Sequence, residues 1–119
     1  MIARLDIEPL SEAATTIITF EEQTRGWLSI LGQSRSLDEQ VEAYRRLKRL
    51  LDNYLKIKVL DFDAKAATEF RRLHWLRLRI GAMDLKIAAI ALAHDAILLT
   101  RNLKDFSRVP GLRIEDWTM

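Results

Sequence analysis

The stretch AMDLKIAAIALAHDAILLT, residues 82–100, decides the fold class. Its first part, 82–94, is rich in Ala and Leu and apolar almost all round, which predicts a helix packed deep inside a domain. AILLT, residues 96–100, then predicts a strand buried on both faces. TTIITF, residues 15–20, is β-branched and apolar on nearly every residue and predicts another such strand. Residues 57–62 and 112–114 predict two shorter ones. Strands of this type belong to parallel sheets, and here they alternate with helices. The expectation is an α/β fold with a mainly parallel central sheet flanked by helices.

The intervening segments carry helix signals. Residues 21–31 place Trp27, Leu28, Ile30 and Leu31 on a helix with Gly32 as its stop. Ser36 with Glu39 three residues on forms a capping box for a longer helix, along which Val41, Tyr44, Leu47, Leu51, Tyr54 and Leu55 make one apolar stripe. Asp63 is the expected N-cap of a helix through Ala66, Phe70, Leu73 and Leu76, and Gly81 ends that pattern. The chain has 119 residues, 49% apolar and 30% charged, with no linker-like tract, so residues 1–119 form a single domain. The absence of cysteine excludes a disulfide scaffold, a thiolate zinc site and a Cys nucleophile, and suits a reducing, cytoplasmic setting. No stretch reaches the roughly 18 apolar residues of a membrane span, and MIARLDIEPLSEA has no signal-peptide core. A net charge of +2 says little about nucleic acid.

Sites in open α/β sheets form beyond the carboxyl ends of the strands. Glu22 follows the first of these strands, and Thr100, Asn102 and Asp105 follow AILLT. A helix that feeds a parallel strand starts at the same edge, which brings Asp84 there too. Three carboxylates on one rim repel one another unless a hard cation such as Mg²⁺ or Mn²⁺ lies between them, and the chemistry that follows is phosphodiester hydrolysis. Asn102 and Thr100 are placed to orient a water or a ligating carboxylate. His74 and His94 lack any metal-ligand spacing and read as structural or surface residues. Trp27 and Trp117 fall among apolar residues and read as core, whereas Trp75 is open to either role. The basic runs 45–49 and Arg71, Arg72, Arg77 and Arg79 read first as solvated helix faces, and of the two the second is better suited to a phosphate backbone.

The segments ITFEEQTRGW, IGAMDLKIAAIALAH and LLTRNLKDFSRVPGLRIEDW resemble the middle and end of a PIN domain of the kind found in bacterial toxin-antitoxin ribonucleases. In that family a Glu soon after the second strand, a GxxD helix start and a TxNxxDF segment supply metal-binding acids. Glu22, Asp84 and Asp105 occupy those positions here. The resemblance implies a Mg²⁺- or Mn²⁺-dependent endoribonuclease acting as a toxin, with RNA as substrate and a cognate antitoxin as partner. It also implies a first strand ending in Asp, which this chain lacks. Asp6 is the only candidate, and about ten residues before the Thr15 strand are too few for a crossover helix. The expectation is therefore that the first strand is missing, and with it one ligand. A sheet open in this way would expose edges and favour a homodimer. The alternative is a catalytically impaired PIN domain serving as an antitoxin- or RNA-binding module.

Overall fold

TTIITF is divided between two elements. Strand β2 (Ser11–Thr16) ends at Thr16, and helix α1 (Ile17–Gln33) begins at Ile17. The cause is local: the Thr16 hydroxyl accepts the Thr19 N–H at 3.1 Å and pairs with the Thr19 hydroxyl at 2.9 Å, an N-cap that outweighs the strand propensity of Ile17 and Ile18. Glu22 therefore sits in the second turn of α1 rather than the first. The computed structural model of the chain describes residues 2–6 and 11–116, with side chains for 14–116.

The expected elements follow in order, α2 (Leu37–Tyr54), β3 (Lys58–Leu60), α3 (Ala64–Trp75), α4 (Ala82–Ala93), β4 (Ala96–Thr100) and β5 (Ile114–Asp116), numbered with a short helix that was not expected, α5 (Leu103–Phe106), between the last two strands. Gly32 does not stop α1. Ser34 does, through its N–H to Leu31 O at 3.3 Å and its hydroxyl to Ile30 O at 2.9 Å. The last strand begins at Ile114 because turns ending in Leu112 N–H to Val109 O at 3.3 Å, with Gly111 at φ 81°, occupy the residues before it.

Five strands form one sheet in the order β3-β2-β1-β4-β5, where β1 is Ile2–Asp6. β2 with β3, and β4 with β5, pair in parallel, while β1 lies antiparallel between β2 and β4. The interior position expected to stand open is thus filled, by a strand running against its neighbours. The short connection that rules out a crossover is compatible with this antiparallel pairing. The open-sheet argument for a homodimer consequently falls. Thr16, Leu60, Thr100 and Asp116 end the four co-directional strands on one rim.

α4 contributes more of the core than any other element, with Ile87, Ala88, Ala89, Ile90 and Ala91 at most 1% exposed in one cluster with β4's Leu98 and with Leu73, Leu60 and Phe106. Small Ala side chains let the sheet and α3 approach this helix from several sides. Ser36 caps α2 by accepting Glu39 N–H at 3.1 Å, and the Glu39 carboxylate returns to Arg35 N–H at 2.8 Å, one residue before the cap. Asp63 caps α3 as expected, accepting Ala66 N–H at 2.9 Å. Asp63→Ala is expected to cost about 1 kcal/mol, the usual worth of such a cap, read as a lowered urea midpoint with unchanged slope. Trp27 is a correction: it is half-buried between α1 and α2 with the Arg46 guanidinium 5.8 Å over its ring, rather than in the core. Trp117 lies outside the described residues.

Candidate functional site at the carboxyl rim

β4 delivers Thr100 to the rim with its side chain buried, and the hydroxyl accepts Asn102 N–H at 3.0 Å. Asn102 then caps α5, accepting Asp105 N–H at 3.4 Å, while its amide donates to Asp105 Oδ2 at 2.9 Å. Arg108 takes the other oxygen, Nη1 to Oδ1 at 3.2 Å. Thr100, Asn102 and Asp105 thus form one hydrogen-bonded chain that starts in the core and ends at a carboxylate.

Asp84 stands in the first turn of α4, which Gly81 caps without a side chain. Burial raises its carboxyl above the ordinary value, and Asp105 adds to the effect. Glu22, on the exposed side of α1, is raised in the same sense by partial burial, then by Asp84, then by Glu21. Asp84 accordingly lies within the field of both other acids. Glu21 is paired with Arg25 at 2.5 Å.

The donor set is carboxylate, amide and hydroxyl oxygen, the chemistry of a hard-cation site, and the mutual repulsion is what a cation would relieve. Among the described residues no three His, Asp or Glu side chains are gathered closely enough to hold an ion as they stand. Arg108 and Asn102 between them occupy both oxygens of Asp105. Asp6 belongs to the opposite edge. Its register partner is Ser11, and Leu5 faces Ala96, so Asp6 lies at the amino ends of β2 and β4, about 13 Å along β1 from Ile2.

His94 and His74 are away from the acids: His94 Nε2 is 3.3 Å from Asp61 O and 3.7 Å from Asp63, and His74 stacks on Phe70 at 5.8 Å. Two rim residues escape a reading of the sequence. Asp116 ends β5 in register with Thr100 and would have been visible only with the strand placed at 114–116. Arg108 had no signal, since its role depends on the turn after α5.

A raised carboxyl has a stability consequence. The folded metal-free chain holds the Asp84 proton above the ordinary value of 3.8, so stability falls as pH rises through that value and up to the raised one. Melting in chelator between about pH 4 and pH 7 is expected to reveal this decline, and Asp84→Asn is expected to flatten it.

Comparison with known proteins gives the family. The family model of the PIN domain matches residues 2–112. The chain belongs to that family. Ribonuclease VapC2 of Rickettsia felis is 39% identical over 72 residues, 56% of this chain and 54% of that protein. The tRNA(fMet)-specific endonuclease VapC of Salmonella typhimurium is 36% identical over 66 residues, 52% of this chain and 50% of its own. The PIN chain thus spans about half the length of the curated relatives it matches. VapBC2 from Rickettsia felis, bound to a DNA fragment from its promoter, superposes with a TM-score of 0.67 at 30% identity, covering 87% of this chain and 74% of that one. DNA-bound VapBC from Salmonella typhimurium gives 0.68 at 28%, with the same coverage of 87% and 74%. The α/β fold is therefore that of PIN-domain VapC structures. No helix among the described residues is long and apolar enough to cross a membrane.

Proposed function

We propose that this PIN chain is a Mg²⁺- or Mn²⁺-dependent endoribonuclease and the toxin half of a toxin-antitoxin pair, with Glu22, Asp84 and Asp105 as the metal-holding acids. The observation that carries this reading is the succession of mutually repelling carboxylates, Glu22 against Asp84 and Asp84 against Asp105, on the rim where four strands end. An ion held there supplies a water of lowered pKa and stabilises charge on phosphoryl oxygens. Asn102 keeps the Asp105 carboxylate oriented through its 2.9 Å bond, and Thr100 anchors Asn102 to the strand end, so the acid is aimed from the core. Arg108 balances the Asp105 carboxylate in the free chain.

The partners are RNA and a small antitoxin. Similarity to VapBC complexes supports the antitoxin. So does an exposed apolar surface on α1 and α2, where Leu28, Ile30, Val41, Tyr44 and Leu51 stand open. The test is incubation of the chain with structured RNA in Mn²⁺ and in chelator. Fragments with the metal alone are expected; intact RNA in both would remove the reading.

One observation favours the second reading, an impaired PIN domain that binds antitoxin or RNA without cutting. Asp6 is on the far edge of the sheet, so β1 brings no acid to the rim.

A further inference from the structure

The turn between α3 and α4 has no part in the acidic rim, yet it is unusually built. Trp75, the last residue of α3, is 80% exposed, the most exposed large apolar side chain among the described residues. Arg77 and Arg79 follow in the left-handed region, at φ 51° and 61°. Non-glycine residues seldom adopt that conformation, because the Cβ crowds the backbone, so something must hold them. Leu78 and Ile80 do so by packing against the core, and Arg108 Nη1 donates to Arg79 O at 3.1 Å. The alternation turns the two guanidinium groups outward, and among the described residues neither has an ion-pair partner. His74, Trp75, Arg77 and Arg79 border a cavity of about 530 Å³ whose inner wall includes Leu73 and Leu85.

We propose that this turn is a cradle for a single-stranded RNA segment, with Trp75 stacking an unpaired base and Arg77 and Arg79 taking the flanking phosphates. An indole face presented to solvent beside two unpaired guanidinium groups matches a strand that offers a flat apolar base between anionic links. A base paired within a duplex presents no free face, which restricts the ligand to unpaired nucleotides. The position deepens the nuclease reading, on which its biological sense rests. Arg108 joins the cradle to the acids, since the guanidinium bonded to Arg79 O also binds Asp105. A strand held at the turn is thereby led towards the acidic rim.

The test measures binding of a fluorescent mixed-sequence single-stranded oligoribonucleotide to the full chain in chelator, across a range of salt concentrations. Trp75→Ala is expected to weaken binding about 10-fold with little change in salt dependence, and Trp75→Phe to restore most of it. Arg77→Asn with Arg79→Asn keeps a residue type that tolerates the left-handed backbone, and is expected to lower the log-log salt slope by roughly 0.7 per arginine. Unchanged affinity and slope in these variants, or no RNA binding by the wild type, would overturn the cradle. So would light scattering in which Trp75→Ala alters only the oligomeric state, which would mark a protein interface. Cleavage is followed separately in Mn²⁺. A wild type that binds through Trp75 and the arginines but never cuts would keep the cradle and remove the nuclease, while cutting with unaltered binding in the variants would do the reverse.

Discussion

Asp84→Asn is expected to lower Mn²⁺ affinity on the order of 100-fold or more, which calorimetry would register as loss of the binding signal. The size follows from position. Asp84 is the acid that feels Asp105 and is felt by Glu22, so a cation that relieves the repulsion must sit against it. Asparagine keeps the shape and the oxygen but removes the charge on which a hard cation depends. Asp105→Asn is expected to act in the same direction. Glu21→Gln is the control, because the Glu21 carboxylate is turned to Arg25 at 2.5 Å and is not among the three proposed ligands, and its affinity is expected to stay close to the wild type. Equal affinity in Asp84→Asn and wild type would contradict the site.

The largest stability effect is expected at Phe106. Its side chain is fully buried, the largest such residue in the core, and it directly follows Asp105. Phe106→Ala removes its apolar burial and leaves a cavity under α5, a change worth about 3–5 kcal/mol. For a domain of this size the melting temperature is expected to fall roughly 10–20 °C. A loss below about 1 kcal/mol in urea unfolding, with an unchanged slope, would mean that the site around it yields and refills. Because α5 holds Asn102 and Asp105 in place, the same variant is expected to weaken metal binding even where it remains folded.

What could be read in the sequence was local. Ser36 and Asp63 announce their helices because a cap is chemistry between residues three apart, and α4 announces its burial because it has no polar face. The boundary at Thr16 was hidden by the same logic: TTIITF carries strand propensity throughout, and only the hydroxyl pairing of Thr16 with Thr19 divides it. β1 was lost for a different reason. The short spacing between Asp6 and Thr15 excludes a crossover helix, and that exclusion was taken to mean an absent strand, whereas an antiparallel strand needs no crossover. The short connection from Asp6 to Ser11 requires the antiparallel direction once β1 and β2 are neighbours, and that adjacency is what the spacing alone does not give.

The candidate site divides in the same way. Asp84 and Asp105 are legible because each lies in the first turn of a helix that starts at the rim, whereas strand propensity running to Phe20 places Glu22 one turn too early in its helix. Arg108 and Asp116 are not, since one acts through a turn and the other through the register of a short edge strand. Asp6, a plausible acid by type, is placed by register on the wrong edge.

The central claim is that the acids of this rim carry out metal-dependent hydrolysis of RNA. It is tested most directly by the rate of cleavage of one RNA as a function of Mn²⁺ concentration, in the wild type and in Glu22→Gln. The wild type is expected to be silent in chelator and to rise to a plateau with metal, and Glu22→Gln to need roughly 10-fold more metal or to reach a plateau lowered by about that factor. Identical metal curves for the two proteins, or cleavage that persists in chelator, would contradict it.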